Sequence, residues 1–426
     1  MKLFSLKIFL SFLAVATLCA QDAQLPLTTK SERQNFDEKL RTKIIEDNLS
    51  SPLTKENEDK WLEAFWGAGL GMIKTDLVTN SIKIALDNFG ERSPRFQRAL
   101  LEAVYVLYST DFNEQINQIA ASTDNPKIFA MAINYLLRDK FITKPKALEL
   151  LKSKFENPND NPILFALSSF ITLNDKVAHP PLVDLLSATV ESGSVIIFSF
   201  QRKNRDNTGL AVIRKSDGTF ARDEFGNVFY VPQLARALSN MPGYITNGNT
   251  PQGVLSIQGI DTSSNIFIGT TPNIQTVLPY EVSPQNYFHS QFDLSTKWEI
   301  NLYDNLLPKS WKNYFPIHEA YYAGEAGRCE IIAHGSTVDP EYYSGKPYYP
   351  NTPTLGCLSA KELWDDDGNR VLSDQSALYN AFKSAGNLSG YLIVVEINDK
   401  QHPLVIDEVI VDILKAEKMI KEKNNN

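Results

Sequence analysis

The chain has 426 residues, more than one compact core usually organises, so two domains are the default expectation. Its 43% hydrophobic and 22% charged residues exclude a disordered or fibrous chain. The formal charge of −8 argues against a general nucleic-acid binder and says little about a small or peptide substrate.

Residues 1–20 read as a signal peptide. Lys2 and Lys7 give a positive start, an apolar run follows from Ile8 to Leu18, and Ala20 is a small residue at a plausible cut before Gln21. Its removal would take the charge to about −10. Lipidation of Cys19 is the alternative, which the bulky Leu18 disfavours. No later stretch reaches the roughly 18 apolar residues of a membrane span. The expected location is therefore the periplasm or the exterior. After cleavage Cys329 and Cys357 remain, too few for a disulfide framework. In an oxidising compartment each retained thiol calls for an explanation.

Residues 21–190 read as an all-α domain, with apolar residues at three and four spacing, as in Ala99, Leu100, Ala103, Val104 and Leu107. Ser93-Pro94, Asn125-Pro126 and Asn161-Pro162 each look like a cap followed by proline at the first helical position. The prolines lie 32 and 36 residues apart, which suggests stacked hairpins of the HEAT-like or tetratricopeptide-like kind, a plain bundle being the alternative. Such a stack would serve as a docking module for an envelope partner, or else as a prop for the second half.

Residues 191–414 read as mostly β with embedded helices, so the fold class is multidomain α + β. Strand-like runs are Ser194 to Phe200, Leu210 to Arg214, Val228 to Val231, Val254 to Ile260, Ile266 to Ile268, Glu330 to Ala333 and Tyr391 to Ile397. Helices are expected over Gln233 to Ser239 and Asp374 to Ser384, and a frayed polar tail over residues 415–426. His318-Glu319 reads as a strand-edge pair.

Two segments carry chemistry. Glu330-Ile331-Ile332-Ala333-His334-Gly335-Ser336 is a short strand ending in His-Gly, and Thr354-Leu355-Gly356-Cys357-Leu358-Ser359 holds a cysteine 23 residues after the histidine. Acyl transfer by cysteine needs an imidazole to take the thiol proton, a partner to orient that imidazole, and backbone N–H groups facing the oxyanion. Cys357 and His334 suit the first need, Gly335 the second and the Gly356 turn the third. Cys329, five residues before His334 on one apparent strand, falls on the opposite face and reads as a core thiol.

His-Gly at a strand end followed by Ser/Thr-x-Gly-Cys resembles the catalytic domain of the L,D-transpeptidase (YkuD-type) family. Asn249-Thr250-Pro251-Gln252-Gly253-Val254-Leu255-Ser256-Ile257 is similar to that family's Thr-Pro-x-Gly-x-Phe-x-Ile segment. The resemblance covers residues 194–412. It implies Cys357 as nucleophile, held as thiolate by His334 as base. It implies the Gly335 carbonyl as orienting group and the N–H groups of Cys357 and Gly356 as the oxyanion hole. Peptidoglycan stem peptides are the implied substrates, with no cofactor and no metal. The implied product is a 3–3 crosslink, a trimmed stem or an exchanged terminal D-amino acid. Arg328, Ser336, Thr354, Ser359 and Tyr348 are expected around the substrate. Leu355 stands where the family commonly has His, and Ser359 where it has Arg or Asn. A substrate carboxylate then needs another cation, with Arg328, Lys346 and Lys361 the candidates. The Tyr- and Pro-rich stretch from Tyr342 to Pro353 is expected to form an aromatic lid over the cleft. A non-catalytic envelope scaffold is the competing class. Papain-like enzymes place Cys before His, the reverse of this order.

Overall fold

The computed structural model describes residues 27–424, apart from 174–177, 290–291 and 294. The leader read over residues 1–20, with Cys19, lies outside the described residues. The fold is mixed α/β, with helices in the N-terminal part and a large sheet later.

Helix α1 (Lys30–Lys39) continues through a π-helical stretch (Leu40–Asp47). Then come α2 (Glu58–Leu70), α3 (Asp76–Asp87), α4 (Pro94–Leu107), α5 (Asn113–Ser122), α6 (Pro126–Arg138), α7 (Lys144–Lys154), α8 (Pro162–Thr172) and α9 (Leu182–Ser187). Three of these start at the caps the sequence marks. Ser93 accepts from the Phe96 N–H, Asn125 from Lys127 and Ile128, and Asn161 from Ile163 and Leu164. Each cap satisfies first-turn amides that have no intrahelical partner, for about 1 kcal/mol apiece. The helices α2, α4, α6 and α8 pack in succession, with α5 against α6 and α7 against α8.

The strands are β1 (Val195–Arg202), β2 (Gly209–Arg214), β3 (Tyr230–Gln233), β4 (Gly253–Asp261), β5 (Asn273–Val277), β6 (Ala333–His334) and β7 (Leu358–Ser359), then β8 (Glu362–Trp364), β9 (Arg370–Ser373) and β10 (Gly390–Asn398). Eight form one sheet in the order β3-β2-β1-β10-β4-β5-β6-β7, while β8 and β9 pair separately. Among the strand pairs of the described residues, β1–β10 and β6–β7 are parallel. Strand β1 is buried along its whole length, as a strand covered on both faces must be, and this is why it reads as an unbroken apolar run. On one face Val195, Ile197, Leu255 and Leu392 share a single hydrophobic core with the N-terminal helices. On the other, Ile196, Phe198, Val254 and Ile393 pack with Trp311, Tyr303 and the C-terminal helix.

Several expectations need correction. Gln233 to Ser239 is not a helix. Leu234, directly after β3, exchanges hydrogen bonds with Ser359 at 2.8 and 2.9 Å, and the Leu238 N–H goes to the Thr354 carbonyl. The two edges of the sheet thus meet, and the backbone groups a helix would have used internally close the sheet instead. Ile266 to Ile268 is a turn, not a strand. Of the Glu330 to Ala333 run only Ala333 is in a strand, because Glu330 sits at φ +59° and breaks the alternation. The expected tail is part of a helix, Ile410–Asn424, that buries Ile413 and Ala416 and packs on α9. Its Glu417 pairs with Arg222 and accepts the Phe220 N–H. The helix Asp374–Ser384 occupies its expected residues. No helix among the described residues is long and apolar enough to cross a membrane.

Candidate active site

The parallel pair β6–β7 brings the two chemical segments together. Its register sets Ala333 beside Leu358 and His334 beside Ser359. The strand pleat then gives Ala333 and Leu358 to the core and leaves His334 on the other face. Cys357 and His334, each 5% exposed, line one small cavity of about 80 Å³. Thr354, Leu355, Ser336 and Pro353 line it from the same half of the chain, and Trp66 and Leu70 close it from α2.

The Gly356-Cys357 turn is held by several neighbours. Gly356 has φ +118°, and a Cβ there would strike the Arg328 guanidinium and the Gly248 carbonyl, so the turn needs glycine. Thr354 Oγ1 accepts the Gly356 N–H at 2.9 Å and donates to the Cys357 carbonyl at 2.9 Å. Thr250 Oγ1 donates to the Gly356 carbonyl at 2.9 Å. Because a trans peptide points its C=O and N–H oppositely, that bond turns the Cys357 N–H away from Thr250. The expected oxyanion hole is therefore corrected. The Gly356 N–H is spent on Thr354, whereas the Cys357 N–H makes no hydrogen bond among the described residues.

His334 Nδ1 donates to the Gly335 carbonyl, which fixes the ring and leaves Nε2 as the acceptor nitrogen. Glycine at 335 is needed because a Cβ there would collide with the buried Glu362 carboxylate. Burial pushes the imidazole down to about 4, with the Gly335 hydrogen bond opposing that shift. Burial pushes the Cys357 thiol up to about 11, against the opposing pull of the Ile332 backbone and the Arg328 charge. The thiol donates to the Glu330 carbonyl at 3.4 Å, not to the imidazole. Both shifts favour the neutral forms, the direction opposite to the expected thiolate. The arrangement suits proton transfer in concert with attack, since a neutral imidazole is the form able to accept the proton.

The remaining expected substrate contacts are placed differently. Arg328 is buried, and its guanidinium donates to the carbonyls of Gly243, Ile245 and Gly248 at 2.6–2.7 Å and of Asn249 at 3.3 Å. It clamps the loop behind Cys357 and does not line the cavity, so it is not placed as a substrate cation. Lys346 is exposed, Lys361 lies 3.8 Å from Asp374, and neither lines the cavity. Ser359 Oγ donates to the Thr352 carbonyl inside the sheet. Ser336 lines the cavity while its Oγ accepts the Val338 N–H. Tyr348 is buried under the Arg236 guanidinium, 4.6 Å from its ring centroid, away from the cavity. The expected aromatic lid is a packed joint to the helices, in which Tyr343 Oη donates to the Leu70 carbonyl at 3.0 Å. Cys329 is exposed, not a core thiol, because the Glu330 kink removes the alternation that placed it inside. His318 ends a 3₁₀ turn with its Nε2 2.7 Å from Asp304, and Glu319 opens a helix, so the pair is not at a strand edge.

Sequence reasoning missed Trp66 and Leu70, whose roles depend on contacts some 290 residues away along the chain. No protein-family model, no curated protein and no solved structure matches this chain.

Proposed function

We propose that the chain is an exported cysteine acyltransferase of the L,D-transpeptidase type, acting on peptidoglycan stem peptides in the cell envelope. The observation that carries this reading is the meeting of Cys357 and His334 in one cavity, with Nδ1 of the histidine tied to the Gly335 carbonyl. In the proposed reaction Sγ attacks the carbonyl before the terminal D-amino acid while His334 Nε2 takes the thiol proton. The Cys357 N–H faces the oxyanion. Collapse breaks the C–N bond, the imidazolium returns its proton to the leaving amine, and a thioester remains. An amine from a second stem then attacks the thioester, forming an amide crosslink and restoring the thiol. Water in its place gives a carboxypeptidase, and a free D-amino acid gives exchange. The helical half enters the same proposal as a HEAT-like or tetratricopeptide-like stack, supported by the recurring Ser/Asn-Pro caps.

A cavity of 80 Å³ is well below the roughly 300 Å³ of a small ligand pocket, so a stem peptide has to displace the Trp66–Leu70 wall. The same smallness favours a second reading, a non-catalytic envelope scaffold. Incubating the protein with isolated peptidoglycan and profiling the muropeptides separates the two. New 3–3 dimers or shortened stems support the enzyme, and an unchanged profile with retained binding supports the scaffold.

Two predictions arise here. His334→Gln keeps a neutral polar side chain but removes the proton acceptor, so acylation should slow by about 10²–10⁴. Single-turnover acylation followed by intact mass checks this, and a loss under tenfold would pass the role to another group. The second concerns pH. His334 works as base only when neutral, and burial holds it near 4. The acylation rate should therefore be lost as pH falls through about 4. It should stay level near pH 6.5, the ordinary imidazole value. A pH–rate profile with an acid limb near 6.5 would contradict the buried, neutral histidine.

A further inference from the structure

A second and much larger cavity, about 690 Å³, lies between the helical half and the sheet. No residue lines both it and the Cys357 cavity. Its volume falls within the range of small-molecule sites. Much of its wall is apolar and aromatic. Phe315 stacks on Tyr322 with ring centroids 5.5 Å apart, and Phe170 packs on Tyr244 at 6.5 Å, with Ile142 and Ala166 in the same wall.

The charges around this cavity are unequal. Arg138, Lys140, Lys144, Lys203 and Arg205 line it, against the two carboxylates Glu319 and Glu396. Both carboxylates are answered within the wall. The buried Arg205 pairs with Glu396 at 2.9 Å, and its charge also acts on Glu319. Glu319 accepts the Gln252 N–H at 3.0 Å. Burial, then the Glu396 charge, pushes the Glu319 carboxyl up, toward its neutral form. The positive side is therefore in excess. Arg138 donates to the Tyr105 and Tyr108 carbonyls at 3.2 and 3.4 Å, and neither it nor Lys140 has a carboxylate within ion-pair distance among the described residues. Arg138, Lys140 and Lys203 are exposed, whereas Tyr105 and Tyr244 are buried. The cavity is thus polarised, with cations where it meets water and apolar side chains within. Coulomb attraction at such a rim draws an anionic head, and removal of apolar area from water holds an apolar body behind it.

We propose that this cavity binds an apolar molecule with a single carboxylate head, the head at the rim of Arg138, Lys140 and Lys203 and the body along the aromatic wall. The site does not depend on the cysteine chemistry proposed above. Ligand-observed NMR with the full chain tests it, using octanoate as probe and 1-octanol and octylamine as neutral and cationic isosteres. Octanoate should bind, and the two isosteres should bind at least fivefold more weakly. Lys140→Glu combined with Lys203→Glu should weaken octanoate at least tenfold and leave 1-octanol unchanged, which also shows that the cavity keeps its shape. Lys346→Glu, at an exposed position outside the cavity, should leave octanoate within twofold. Cys357→Ala should leave it unchanged too, so failure of the acyl-transfer reading does not touch this one. Equal binding of octanoate and 1-octanol by the unmodified protein would overturn the proposal, whatever the double substitution does to folding. So would no detectable octanoate binding, or a loss in Lys346→Glu as large as in the double variant.

Discussion

Cys357→Ala should abolish acyl-enzyme formation and leave the fold in place. The turn that presents the thiol is held by Thr250, Thr354, the Leu358 N–H to the Ile332 carbonyl, and the Arg328 clamp. Sγ donates to the Glu330 carbonyl at 3.4 Å. Deleting one buried heavy atom should cost only about 1 kcal/mol of stability. Intact mass after incubation with a reactive acyl donor reads the first effect, and a thermal midpoint reads the second. An acyl adduct at full rate on the alanine variant would end the assignment. The exposed Cys329 is the necessary control. A general alkylating reagent should reach it before the buried Cys357, so the adduct has to be located by peptide mapping. Cys329→Ser should keep most of the acylation, and a loss as large as that of Cys357→Ala would give the chemistry to the wrong cysteine.

What the sequence revealed was local. Ser93, Asn125 and Asn161 announce helices because a cap and its proline act within one turn. The strand at Val195–Arg202 announces itself by an apolar run long enough to be covered on both faces. Gln233 to Ser239 misled because Leu234, Ala235 and Ala237 suit a helix as well as an edge, and only a partner 125 residues away at Ser359 decides. The C-terminal helix was hidden by its many lysines, since only Ile413, Ala416 and the Arg222-bound Glu417 face inward. Within the site, His334 and Cys357 were legible as residue types at a spacing. Their protonation was not, because burial sets it, and burial depends on Trp66 and Leu70 from the far half of the chain. Arg328 shows the same limit. A cation near the candidate cysteine in sequence is, in the fold, a clamp on four carbonyls.

Residues 190–426 expressed alone should be insoluble or fail to acylate, whereas an independent docking module would leave them soluble and active. The helices and one face of the sheet share a single hydrophobic core. Phe267 is received between Phe36 and Trp66, at ring separations of 5.4 and 5.6 Å. Phe165 of α8 packs on Tyr322 at 4.8 Å. Polar bonds cross the same boundary, from Asn134 to Tyr244 at 2.7 Å and from Asn247 to Glu102 at 2.9 Å. Each large apolar side chain uncovered loses about 1.5–3 kcal/mol of burial, so three or four such losses approach the 5–15 kcal/mol stability of a whole domain. The cut would also strip Trp66 and Leu70 from the Cys357–His334 cavity, exposing both side chains to water. Any soluble fragment should then titrate its histidine nearer the ordinary 6.5 and behave as a different catalyst. Soluble yield, a cooperative thermal transition and acylation of a small reactive substrate are the three readouts. A fragment that passes all three would mean the helices are a separable module and that the shared core is dispensable to the sheet.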